Sequence, residues 1–163
     1  MEIRKAVKND VKAINEIYNH AVHEKLTADI SPVDFESTLQ WFKQHEREKY
    51  PVFVAVMNDA VTGWLSFSPY RPGRMALRYT AEVSYYVHKD HQRKKIGTSL
   101  LSFAMDKAPS YNFKNLFAIL LEHNTGSIKL LEKCGFEKWG FMPGVADFDG
   151  KLSGHLYYGI KVR

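Results

Sequence analysis

Apolar residues recur along this chain with two different periods, and the places where the period changes mark its elements. IRKAV near the start alternates as a strand does. After Asn9-Asp10, which offers a helix cap, Val11, Ile14, Ile17, Tyr18 and Val22 return at helical spacing. TADISPVD (27–34) has loop chemistry, with Ser31-Pro32 as a turn or helix-start signal. DFESTLQWFKQHE then places Phe35, Leu39 and Phe42 on one helical face, and Pro51 ends that region. VFVAVM (52–57) reads as a buried strand, Asn58-Asp59 as a turn and VTGWLSFSPY as a second strand, so 52–70 predicts a hairpin. AEVSYYV (81–87) predicts a third strand, TSLLSFAMDKA (98–108) a helix and LFAILLE (116–122) another strand. A short helix from Asn124 to Lys133 stops at Gly135, and a closing hairpin pairs EKWGFM with LYYGIKV.

That order gives a mixed α/β class. The hairpins are antiparallel, and the strand–helix–strand piece over 81–122 requires a parallel crossover. No internal repeat, low-complexity tract or linker interrupts the chain, so residues 1–163 are expected to form one domain. Hydrophobic content of 45% and charged content of 25% are globular values.

The N-terminal MEIRKAV has no secretory apolar core, and no apolar run approaches the length that spans a bilayer. Cys134 is the single cysteine, so no internal disulfide forms and a reducing, cytoplasmic setting is expected. Its neighbours in LLEKCGF are apolar, which suits a packed thiol better than a nucleophile. The seven histidines show no metal-ligand pattern, and no metal is expected. Trp41, Trp64 and Trp139 read as core or dimer-packing residues.

Net charge is +5, and its sharpest local expression is HQRKKIG at 91–97. Three cations in a row between a strand and a helix admit three readings: a nucleic-acid patch, a solvated turn, or a cradle for a phosphate-bearing ligand. A helix start leaves backbone N–H groups unpaired and carries partial positive charge, which makes it an anion site. Gln92 to Thr98 would aim those amides, Gly97 would let a diphosphate approach the backbone, and Arg93, Lys94 and Lys95 would add screening charge. A nucleic-acid module would show a broad basic stripe, whereas acidic residues are interspersed throughout this chain, so no nucleic-acid partner is expected.

AEVSYYVHKDHQRKKIGTSLL resembles the acyl-carrier segment of the GNAT acetyltransferase superfamily, a strand followed by Gln/Arg-x-x-Gly-x-Gly/Ala and a helix. Gln92 and Gly97 match its outer positions, while Lys95 stands in place of the first glycine, where a non-glycine residue avoids positive φ. HNTGSIKLLEKCGF (123–136) resembles the Asn-x-x-Ser/Ala…Gly-Phe segment of the same superfamily. YTAEVSYYV, TADISP and WGFMPGVADFDGK together look like its phosphinothricin N-acetyltransferase-like branch. The resemblance covers nearly the whole chain. It implies a twisted mixed sheet of roughly six to seven strands flanked by about four helices.

The resemblance also implies acetyl-coenzyme A as cosubstrate and a small, amino-acid-like amine of the phosphinothricin or methionine-sulfone type as acceptor. Gln92, Arg93, Lys94, Lys95, Ile96, Gly97 and Thr98 would hold the diphosphate, the strand edge near Tyr86 and Val87 the pantetheine arm, and Asn124 with Ser127 would bind beside it. A backbone N–H of Tyr86 or Val87 would also hold the thioester oxygen. Glu82 occupies the family's general-base position, acting directly or through water. Arg74 and Thr80 match substrate-binding positions. Leu131 stands where many relatives carry a Tyr or His acid, leaving water, Tyr157, Tyr158 or His155 as proton donor. A homodimer is expected. Two rivals remain at this level: an acyl-CoA-binding regulator without turnover on the same fold, and a nucleic-acid-binding module.

Overall fold

The computed structural model describes residues 1–46 and 49–162, Glu46 by its backbone only. Among these residues seven strands form a single sheet in the order β1-β2-β3-β4-β5-β7-β6. The strands are β1 (Glu2–Lys5), β2 (Val52–Met57), β3 (Ala60–Pro69), β4 (Thr80–Val87), β5 (Asn115–Leu121), β6 (Glu137–Phe148) and β7 (Lys151–Lys161). Four α-helices accompany them: α1 (Val11–His23), α2 (Phe35–Glu46), α3 (Ile96–Lys107) and α4 (Thr125–Lys133). The mixed α/β order expected from the hydrophobic periods is the one found.

All strand pairs are antiparallel except β4–β5, which α3 connects as a parallel crossover. The β2–β3 turn sits on Asn58 and Asp59, both left-handed with φ of 50° and 60°, the geometry a two-residue hairpin turn demands. The closing hairpin is longer than EKWGFM plus LYYGIKV, because β6 runs on to Phe148 and turns at Asp149-Gly150. Shifts in register after Lys138 and after Met142 let that long strand bend.

Alternation along the central strands divides the apolar side chains between two layers. Leu65, Phe67, Val83, Leu116, Ala118 and Leu120 face α3 and the buried side of α4, where Leu100, Leu101, Ala104 and Leu131 meet them. Val52, Val54 and Trp64 face the other way, against Val11, Ile14 and Ile17 of α1 and Leu39 and Phe42 of α2. The β5–β7–β6 part of that second face has no helix over it among these clusters, which leaves it open.

Asp10 does not cap α1 in the way its position in the sequence implies. The chain enters the helix through a 3₁₀ turn over Lys8–Asp10, and the Asp10 carboxylate turns back to accept from Val7 N–H at 2.8 Å. It also takes both arms of the Arg4 guanidinium, at 2.7 and 2.9 Å, so it fastens β1 to the start of α1. Burial pushes its pKa up, but the Arg4 and Val7 hydrogen bonds outweigh burial and hold it below the usual carboxylate range. Asp10→Ala should therefore cost about 1–3 kcal/mol in urea denaturation at pH 7. A depressed carboxyl contributes stability above its unfolded pKa, about 3.9, and loses it as pH falls through the folded value. The gap between wild type and Asp10→Asn should thus narrow between pH 5 and pH 2; a gap that holds constant would assign the contribution to packing.

Candidate active site

β4 and β5 pair at only three positions: Thr80↔Asn115, Ala81↔Leu116 and Glu82↔Phe117. Beyond that rung the strands part. β4 stays with β3 as far as Gly63↔Val87, and β5 stays with β7 as far as Leu121↔His155. Between them opens a cavity of about 440 Å³, walled by Glu82 to Tyr86 on one side and Ala118 to Leu121 on the other. Tyr18, Thr27, Asp29 and Trp41 overhang it from α1, α2 and their connecting loop, while Asn124, Ser127 and Leu131 close it from α4. The edge of β4 that faces β5 over 83–87 consequently has backbone N–H and C=O groups that β5 does not pair, which is where an extended amide-bearing ligand can hydrogen-bond.

Glu82 sits on the last paired rung, with its side chain in this cavity. Alternation sends Ala81 and Val83 into the core and leaves the carboxylate between them on the opposite face. Burial raises its pKa, and the Ser84 hydroxyl, donating over a long 3.5 Å, opposes that only in part. Around it the cavity is aromatic. Tyr86 is pushed up to about 12 by burial, and its ring meets Tyr18 edge-on at 5.1 Å. The Tyr18 hydroxyl donates to Asp29 at 2.6 Å, which fixes the loop carrying Thr27 and Asp29 over the cavity.

At the far end of β4 lies the start of α3. No side chain caps this helix, and its first internal bond runs from Ser99 N–H to Lys95 C=O at 3.0 Å. The amides of Ile96, Gly97 and Thr98 precede that bond, so they remain available to an anion. Gln92, Arg93, Lys94 and Lys95 are exposed around them. Lys94 is partly engaged, donating to the Asp90 carbonyl at 3.0 Å. Lys95 does not avoid positive φ: it takes φ 64° and ψ 7°, and Arg93 takes φ 60°. The loop keeps a glycine-like shape without the glycine, at a cost of about 1–2 kcal/mol per such residue.

Gly97 carries a packing contact in addition to the ligand approach that its place in the motif implies. It is buried, and an added Cβ would lie 2.7 Å from Leu130 Cδ2. The constraint is the approach of α3 to α4. Ile96 is likewise a core side chain, 1% exposed, and offers only its amide.

Asn124 caps α4, its side-chain oxygen accepting from Ser127 N–H at 3.2 Å, and both residues line the cavity. Leu131 is fully buried at the cavity wall and brings no proton. Of the alternatives, His155 lines the same cavity, with a pKa lowered by burial. The Tyr158 hydroxyl is taken up with Glu132 at 2.9 Å, and the Tyr157 hydroxyl points to Met142 Sδ at 3.6 Å. Cys134 has its pKa raised, chiefly by burial, as a packed thiol does.

Arg74 and Thr80 lie apart from this cavity's lining. Arg74 is exposed in the 70–79 loop, and Thr80 lines a second cavity of about 460 Å³ on the open face. Tyr70, Phe117, Trp139, Gly140, Phe141, Met142 and Tyr157 line it too. Neither this cavity nor the Asp29 overhang is visible in the hydrophobic pattern. A local signal is the alternation of Trp139 and Phe141 along β6.

Residues 14–136 match the family model described as Acetyltransferase (GNAT) family. The chain is 40% identical over 146 residues to the L-methionine sulfoximine/L-methionine sulfone acetyltransferase of Salmonella typhimurium, covering 89% of this chain and 85% of that one. It is 39% identical over 154 residues to the L-amino acid N-acyltransferase MnaT of Escherichia coli, with 93% and 88% covered. A GNAT superfamily phosphinothricin acetyltransferase from Sinorhizobium meliloti, solved in complex with AcCoA, superposes with a TM-score of 0.92 at 27% identity, covering 99% of this chain and 88% of that one.

The loop geometry separates two glycine effects. Gly97→Ala needs only the tip of the partly buried Leu130 to turn aside, so it should cost about 1 kcal/mol, the low end for overpacking, and adding Leu130→Ala should remove that steric part. Lys95→Gly, which relieves a left-handed side chain, should leave thermal stability level or higher. Thermal unfolding of the four proteins decides it; Gly97→Ala as stable as wild type would show that the helices yield freely.

Proposed function

Because this chain belongs to the GNAT acetyltransferase family and is an acetyl-coenzyme A-dependent N-acetyltransferase, we propose that it acetylates the amine of a small amino-acid-like acceptor with Glu82 as general base. The observation that carries the assignment of the base is the position of Glu82: a half-buried carboxylate with a raised pKa, on the last rung before the strands part. The acceptor class is that named for its relatives, which include L-methionine sulfoximine and L-methionine sulfone.

Acetyl-coenzyme A supplies an activated thioester, and the residues present fit it. The open amides of Ile96, Gly97 and Thr98 suit a diphosphate, with Arg93 and Lys95 adding charge at the rim. The unpaired edge at Tyr86 and Val87 suits the pantetheine amides, and an N–H from that edge suits the developing oxyanion. Asn124 and Ser127 complete that wall. Glu82 takes a proton from the acceptor's ammonium and passes it to water; the neutral amine then forms the amide C–N bond as the thioester C–S bond breaks and the thiolate leaves. An α-amino group, with a pKa of about 7.7–8.0, needs only a base of moderate strength. With Leu131 unable to donate, the proton that returns to sulfur comes from water or from His155, which lines the same cavity.

In the same reading residues 1–163 act as one domain, Arg74 faces the acceptor's carboxylate and Thr80 its body. Two copies pair through the far end of the β6–β7 hairpin, where Val145 and Leu152 are 52% and 62% exposed. No helix among the described residues is long and apolar enough to cross a membrane. The unpaired thiol of Cys134 suits the reducing cytoplasm.

Glu82→Gln tests the base. Acetyl-coenzyme A affinity should stay near wild type while kcat falls roughly 10²–10⁴-fold, and the residual rate should climb with pH as more amine becomes neutral. In the wild type the acidic limb should lie above the ordinary Glu value, about 4.3, and should vanish in the variant. A carboxyl whose folded pKa is raised binds its proton more tightly in the native state, so its ionisation lowers stability as pH rises past the unfolded value. Glu82→Gln should thus melt no lower than wild type at pH 7, opposite in sign to its effect on rate. Undiminished kcat at saturating amine would remove Glu82 from the mechanism.

A further inference from the structure

The geometry points to the second cavity as the subsite for the acceptor's side chain, selecting large apolar or aromatic side chains over anionic ones. This rests on Glu82 being the base of the transferase reading. Phe117, a wall of the cavity, is the direct cross-strand partner of Glu82, and neighbouring strands lie about 4.8 Å apart. Thr80, another wall, stands two residues before Glu82 on the same face, roughly 6–7 Å along the strand. An amine held at Glu82 therefore has the cavity immediately beside it.

The lining has no Asp, Glu, Lys, Arg or His. Tyr70 meets Phe117 edge-on at 4.9 Å, and Phe117 stacks with Tyr157 at 6.4 Å and 22°. The Tyr157 hydroxyl is directed at Met142 Sδ, so its polar tip is spent within the wall. The half-exposed rings of Trp139 and Phe141 rest where a Cβ at Gly159 and Gly154 of β7 would lie. A side chain entering such walls gains by leaving water if apolar, and loses its hydration without a partner if charged. The exposed Arg74 lies in the 70–79 loop between two walls of the cavity, Tyr70 and Thr80, where it suits the acceptor's α-carboxylate. Amine, carboxylate and side chain then have three separate places.

The test measures kcat/KM by free-thiol release at saturating acetyl-coenzyme A, with L-alanine, L-leucine, L-methionine, L-phenylalanine and L-glutamate as acceptors. Leucine, methionine or phenylalanine should exceed alanine by about 10–100-fold, and glutamate should not exceed alanine. Tyr157→Ala should shrink the phenylalanine-to-alanine ratio about tenfold, and Tyr70→Arg should raise the glutamate-to-alanine ratio several-fold. A ratio is chosen because damage to the fold lowers all acceptors together and leaves it unmoved. Thiol release with no preference among the five, or ratios unchanged in both variants, overturns the subsite while acetyl transfer stands. Ratios unchanged in Tyr157→Ala together with a shift from dimer to monomer in sedimentation would also overturn it, assigning the face to a second copy of the chain. No thiol release from these five acceptors or from L-methionine sulfone would sink the proposed transfer to an amino-acid-like amine itself.

Discussion

The three-rung ladder between β4 and β5 is the constraint on which the rest of this protein depends. A sheet that continued to pair past Glu82 and Phe117 would satisfy its own backbone and leave no space between the strands. By parting, the two strands expose edges whose hydrogen bonds must go to water or to a bound molecule, since buried backbone groups are seldom left alone. Each strand is nevertheless secured on its other side, β4 by β3 and β5 by β7. The gap is held on both banks, the carboxylate and the cap of α4 line it, and the start of α3 follows the far end of β4.

Much of this was legible in residue order because it is local. The hairpin over 52–70, the crossover helix after AEVSYYV and the stop at Gly135, which takes φ 85°, depend on neighbours a few residues away. The family motifs likewise located the open helix start and Asn124. What the order of residues hid depends on distant partners. Asp10 looked like a helix cap until Arg4 and Val7 were seen to claim it. Gly97 has a neighbour that residue order does not show, the tip of Leu130, 2.7 Å from where its side chain would begin. The second cavity joins β4, β5, β6, β7 and the 70–79 loop, and no window of sequence contains it.

The basic loop shows how a motif can be kept in shape but not in letter. Lys95 adopts the left-handed backbone that glycine would take without strain, and Arg93 does the same two residues earlier. The amides therefore keep their direction, which is what holds a phosphate, and the side chains add charge that glycine cannot. Strain of this kind is sustained only because Ile96 and Gly97, immediately after it, are locked into the core.

The two aromatic rings laid on glycines carry a consequence for how this sequence can drift. Any side chain at position 159 would collide with Trp139, and any at 154 with Phe141. The reverse change, a small residue at 139 or 141, would bare a strip of β7 backbone and lower one wall of the open face. A side chain at either glycine would therefore have to lift a ring off the strand toward solvent. The shape of that face thus depends on two positions in β7 that contribute no side chain to it.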